Sequence, residues 1–104
     1  MIIVTTDAIP GREIRDIIGM VKGSTVQSKH IGKDFMAGLK TIVGGEIKEY
    51  TDMLNEAREK AIERMVDEAR NTGANAIVGM RLQSSSVMQG ASEIIAYGTA
   101  VWID

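Results

Sequence analysis

The chain contains no cysteine, which excludes disulfides, iron–sulfur clusters, thiolate zinc sites and cysteine nucleophiles. Histidine occurs once, at His30, so a His-x-x-x-His ligand pair is absent and a serine triad has a single imidazole to draw on. Four aromatic residues, Phe35, Tyr50, Tyr97 and Trp102, are too few for a stacking platform on single-stranded nucleic acid. Charge of one sign is also missing. Twelve Lys and Arg against fourteen Asp and Glu leave a net charge of −2 and a pI of about 5.4. No positive field recruits phosphate backbones, so nucleic acid is not an expected partner. No apolar run approaches the ~20 residues needed to span a bilayer. The first residues, Met1-Ile2-Ile3-Val4-Thr5-Thr6-Asp7, lack the basic region and cleavage site of a signal peptide. The expectation is a cytoplasmic protein with no membrane partner.

What is present suits one folded domain over residues 1–104, with 44% hydrophobic and 25% charged residues. Residues 2–6 are rich in β-branched side chains and read as a strand, broken by Asp7 and Pro10-Gly11. Residues 13–28 read as extended, with a bend or bulge at Gly19 and Gly23. At 34–43 the period changes: Phe35, Met36, Leu39, Ile42 and Val43 make one helical face, started by Asp34 and ended by Gly44-Gly45. Residues 46–72 carry the strongest pattern. Tyr50, Leu54, Ala57, Ala61, Met65 and Ala69 form a continuous stripe, with Glu56→Lys60, Lys60–Glu63 and Arg64→Glu68 pairs opposite and Gly73 as the cap. Residues 75–83 and 93–103 read as strands, and 84–92 as a polar, flexible connection. The order β-β-α-α-β-β predicts an α+β domain, a mainly antiparallel sheet with two helices on one face.

The last strand argues for self-association. Ile94, Ala96, Ala100 and Trp102 lie on one side of it and Ile95, Tyr97, Val101 and Ile103 on the other, so both sides are apolar. Helices on one face leave the second to be covered, and a further copy of the chain is the expected cover. The alternative is that the segment 84–92 folds over that face.

Arg15-Asp16, Gly44-Gly45-Glu46, Tyr50, Arg58, Met65 and the run Gly73-Ala74-Asn75-Ala76-Ile77-Val78-Gly79-Met80-Arg81, in this order, resemble the YbjQ-like family. These are small prokaryotic proteins of uncharacterised function that carry a heavy-metal-binding label. The resemblance spans nearly the whole chain and is most specific where Gly-Gly-Glu-x-x-x-Tyr accompanies Gly-Ala-Asn-Ala. It implies an α+β subunit, dodecin-subunit-like in its ring assembly, forming a homopentamer. It implies no established activity.

Four candidate sites follow. A soft-metal site wants thiolate, thioether or imidazole ligands. Here His30 stands alone, and the seven methionines (Met1, Met20, Met36, Met53, Met65, Met80, Met88) are scattered without Met-x-x-Met spacing. No metal or other cofactor is predicted from the residues. A metal ion is implied by the family label alone, with ligands from several subunits on a ring axis as the route. Gly44-Gly45 before a helix offers amides to an anion, but Glu46 already occupies that position. Glu46 and Tyr50 lie one turn apart, Arg58 two turns on, and Arg15-Asp16 on a strand the helix packs upon. Together these read either as a buried structural network or as a site for a small acidic or zwitterionic ligand, held by Arg15 and Arg58 with Glu46 or Asp16 as partner. Ser84-Ser85-Ser86 has no base placed beside it and reads as loop. The expectation is a homo-oligomeric ring with a structural or small-ligand-binding role. The alternatives are a heavy-metal-binding protein with sites at subunit contacts and an enzyme using Glu46, Tyr50 and Arg58 as acid, base and anchor.

Overall fold

A computed structural model of the chain describes residues 1–28, 48–88 and 91–104, with the side chains of residues 28 and 48–50 outside that description. Its elements are β1 (Ile2–Ile3), β2 (Ile14–Ser28), α1 (Lys48–Asn71), β3 (Ala76–Met88) and β4 (Ala91–Ile103). They form one four-stranded sheet in the order β1-β3-β4-β2. β4 pairs antiparallel with both β2 and β3, while β1 pairs parallel with β3 through Ile2↔Ala76 and Ile3↔Ile77. The sheet is therefore mixed, not wholly antiparallel. The helix expected at 34–43, with Asp34 and Gly44-Gly45-Glu46, lies outside the described residues. No helix among the described residues is long and apolar enough to cross a membrane.

The apolar stripe of α1 does what its spacing predicts. Ala57, Ala61, Met65 and Ala69 are fully buried and pack with Val21, Ile77, Ile94, Ala96 and Ala100. The helix lies over β2 and β4 more than over β3. Its closest approach is at Gly23, where a Cβ would run into the Ala61 carbonyl, the Met65 amide and, at 2.7 Å, the Arg64 Cβ. Gly23 therefore marks a seat for helix backbone and not a bend. The register shift expected in β2 occurs between Ile17 and Gly19. One turn of helix from the seat, the hydroxyl of Thr25 donates to the Ala57 carbonyl at 3.1 Å, the satisfied form of a buried polar group. Arg64 departs from its expected pairing with Glu68 and donates from Nη1 to the Ser24 carbonyl at 2.6 Å. Lys60–Glu56 and Arg70–Asp67, both 3.9 Å, are the ion pairs within the helix among the described residues.

The helix ends as its sequence predicts. Gly73 has a φ of 89°, the Gly73 N–H donates to the Arg70 carbonyl at 3.0 Å and the Ala74 N–H to the Ala69 carbonyl at 3.1 Å, which is a Schellman cap. The next residue, Asn75, uses its side-chain amide as a piece of sheet. Nδ2 donates to the Ile103 carbonyl, and Oδ1 accepts from the Ile103 N–H, each at 2.8 Å. The Gly-Ala-Asn-Ala run is thus a helix stop followed by an amide clamp on the end of β4.

Two expectations for the sheet are corrected. Ser84-Ser85-Ser86-Val87-Met88 is strand, because β3 and β4 form a long hairpin in which Ser84 faces Ile94, Ser86 faces Ser92 and Met88 faces Ala91. The second face of β4 is also sheltered in part by its own chain. Val101 and Ile103, with Ala76 and Val78, are covered by Val4, Ile9 and Ile14 from the N-terminal segment, so neither a partner nor the serine run is needed there. Gly23→Val should force the helix off β2 and lower stability by roughly 1–3 kcal/mol. Asn75→Ala, which strands the Ile103 N–H and C=O, should cost roughly 1–3 kcal/mol. The midpoint of a urea transition checks both, and an unchanged midpoint for either refutes its assigned role.

Candidate functional site

β2 is 15 residues long, and its two ends hold different parts of the candidate ligand cluster. At its start, Arg15 binds the last residue of the chain. Nε and Nη2 reach Asp104 Oδ2 at 2.7 and 2.6 Å, and Nη2 lies 3.4 Å from Glu13 Oε2. Arg12 Nε donates to the Asp104 carbonyl, and the Asp104 N–H donates to the Glu13 carbonyl at 3.1 Å. Asp16, opposite Trp102, is exposed and makes no hydrogen bond or ion pair among the described residues. Arg58 belongs to the far end of the strand, next to the Ala57 carbonyl that Thr25 binds. Ten residues of strand separate Arg15 from Thr25, roughly 33 Å at ~3.3 Å per residue. The structure therefore brings Arg15 and Asp16 together but does not bring either to Arg58. Glu46 lies outside the described residues. Tyr50 falls in the first turn of α1, its side chain outside the description.

Arg58 lines a pocket of about 400 Å³ between α1 and the β3–β4 hairpin, with Leu54, Leu82, Gln83, Ser84, Ser92 and Ile94. Among the described elements the helix sits over β2 and β4 more than over β3, and the pocket lies on the helix-facing side of β3. Leu82 and Ser84 share that side with their cross-strand partners Ala96 and Ile94, which are core, yet Leu82 remains 43% exposed. The guanidinium of Arg58 donates from Nη1 to Asn55 Oδ1 at 3.0 Å and joins no ion pair among the described residues. Ser84 is weighed in the sequence as a nucleophile and set aside as loop, and Ser92 carries no signal of a site there; neither is read as a ligand-binding residue. The signal that was available is Val87-Met88, an apolar pair that lets the strand period continue through the serines.

Soft-metal ligands are thiolates, thioethers and imidazoles. Among the described residues no three His, Cys, Asp or Glu side chains cluster to hold an ion. Of the thioethers, Met65 is sealed in the core, whereas Met20 and Met88 are 70% and 67% exposed on different strands. His30 lies outside the described residues.

A family model described as "Putative heavy-metal-binding" matches residues 1–104. The chain is 62% identical over 101 residues to a UPF0145 protein of Vibrio campbellii, covering 97% of each. It is 60% identical over 103 residues to one of Methanosarcina acetivorans, covering 99% of this chain and 97% of that one. It is also 56% identical over 104 residues to one of Thermus thermophilus, covering all of this chain and 91% of that one. A solved structure from Pediococcus pentosaceus, a DUF74-family protein of unknown function, matches with a TM-score of 0.64 at 18% identity. It covers 100% of this chain and 98% of that chain, a likeness of fold. The Arg15–Asp104 pair is more than half exposed on both sides, so Arg15→Ala should change stability by no more than about 1 kcal/mol. A larger shift in the denaturation midpoint would give that pair a structural weight its exposure denies.

Proposed function

The chain belongs to the YbjQ family of heavy-metal-label proteins and to its uncharacterised UPF0145 relatives, and from that premise and its uncovered sheet face we propose that it works as a self-assembling binding protein, a ring of five subunits with ligand sites near the subunit contacts. The observation that carries the assembly is the part of the second sheet face that the N-terminal segment does not reach. There Ile17, Met20 and Val26 of β2 are 70%, 70% and 60% exposed, beside the half-buried Ile95 and Tyr97 of β4. Exposed apolar side chains along this edge strand, with Lys22 and Ser24 between Met20 and Val26 on the same face, are better sheltered by a second surface than by water. The outer part of β3 adds to the case. Beyond Met80, whose N–H still donates to the Val4 carbonyl, it pairs with no further strand on its free side among the described residues, and Leu82, Val87 and Met88 are exposed along it. An unprotected edge of that length is a pairing surface. The number five rests on the YbjQ-like resemblance.

A second reading, metal binding at subunit contacts, is favoured by the family description and by the outward thioethers of Met20 and Met88, ligands of the soft kind. Met20 and Met88 lie on different strands, so this reading draws its ligands from several copies of the assembly.

Native mass spectrometry tests both. The expected species is a multiple of the 11.3 kDa chain, five for the ring, which Met20→Glu with Val26→Glu reduces to smaller species while leaving the helix signal in circular dichroism. A monomer at micromolar concentration overturns the assembly. Bound metal in whole-number ratio to the ring promotes the second reading.

A further inference from the structure

The pocket beside Arg58 carries information about what it takes. Every other Arg or Lys along α1 for which side chains are described is engaged with a charge or with the sheet: Lys60 with Glu56, Arg70 with Asp67, and Arg64 with the Ser24 carbonyl. Arg58 is kept apart. Its helical neighbours at three and four residues are Leu54, Asn55, Ala61 and Ile62, all uncharged, so no carboxylate on its own helix reaches it at the spacing where such pairs form. Its guanidinium has five N–H donors, of which one is used among the described residues, on a neutral amide oxygen. The Ser84 and Ser92 hydroxyls on the facing strands make no hydrogen bond among the described residues. Leu54, Leu82 and Ile94 supply an apolar wall in the same cavity.

We propose that this pocket binds a small organic monocarboxylate with an apolar tail. The carboxylate accepts hydrogen bonds from the Arg58 guanidinium, in the paired geometry that this planar group favours, and from the two serine hydroxyls. The tail lies against Leu54, Leu82 and Ile94. Two features select this class. Among the described lining residues Arg58 is the one cation, which balances a monoanion better than a phosphate dianion. The apolar wall has no use for an inorganic anion. The volume, about 400 Å³, sits toward the lower end of the ~300–1,000 Å³ of small-ligand pockets, which limits the tail to a short one. This inference rests on the binding role proposed above and not on the subunit number.

The test titrates the full chain with hexanoate, with 1-hexanol and with inorganic phosphate, following backbone amide shifts, and records subunit number by native mass spectrometry on the same sample. Hexanoate should move the Leu82, Ser84, Ser92 and Ile94 amides to saturation. Hexanol and phosphate should each bind at least tenfold more weakly. Arg58→Gln should weaken hexanoate tenfold or more while Arg58→Lys restores part of the loss. Leu82→Asp, on an exposed strand position, should also abolish binding and serves as the second variant should Arg58→Gln unfold. No saturable shift with an intact assembly overturns this inference alone. Equal binding of hexanol or of phosphate, or unchanged hexanoate affinity in both variants, overturns it too. Loss of the assembly with hexanoate binding retained overturns the ring and leaves the pocket standing.

Discussion

The contact between the α1 backbone and Gly23 of β2 governs the rest of the molecule. A strand residue without a side chain lets the helix descend until the Ala61 carbonyl and Met65 amide occupy the space a Cβ would take. The alanines at 57, 61 and 69 keep the facing surface shallow enough for this approach along its length. Small residues on both sides trade side-chain volume for backbone proximity, and the packing lost per residue is returned by the close fit of the whole interface. The helix is thereby centred on β2 and β4. Among the described elements β3 is left half-roofed, and the candidate pocket lies there.

The same arrangement explains why polar groups gather where they do. Thr25 and Arg64 tie the helix to β2, through the Ala57 and Ser24 carbonyls. The side toward β3 holds Arg58 with a neutral partner. At the other end of the sheet Arg12, Arg15 and Asn75 fasten the end of β4, two by charge at the surface and one by a paired amide. The two ends thus differ: one closes the fold, and at the other Arg58 has no carboxylate partner among the described residues and lies beside Leu54, Leu82 and Ile94.

Membership of the YbjQ family brings a heavy-metal description, and among the described residues no three His, Cys, Asp or Glu side chains cluster to hold an ion. With no cysteine and one histidine, the soft ligands left are thioethers, and a thioether binds as a neutral, weak donor that gains affinity through number. Convergence of several copies is the physical route by which such donors reach that number. The exposed patch around Met20 is the surface where copies would meet, so the assembly question precedes the metal question.

The strands at 13–28, 75–83 and 93–103, the long helix and its Gly73 cap were legible in the sequence, because each depends on local period or on one residue's backbone freedom. The extension of β3 through Ser84-Ser85-Ser86 was not. Serine's local preference is for turns, and only the ladder to Ile94, Glu93 and Ser92 overrides it. Nor could sequence show that Val4, Ile9 and Ile14 cover Val101 and Ile103, since that contact joins the two termini of the chain. Arg58 could be singled out by its type and by its uncharged helical neighbours. That it stands some 33 Å of strand away from Arg15, and opposite Ser84 and Ser92, was decided by register. Spacing along a chain determines which residues share a helix or strand face. Which faces meet is set by where the helix can come closest to the sheet, and here a single glycine sets that point.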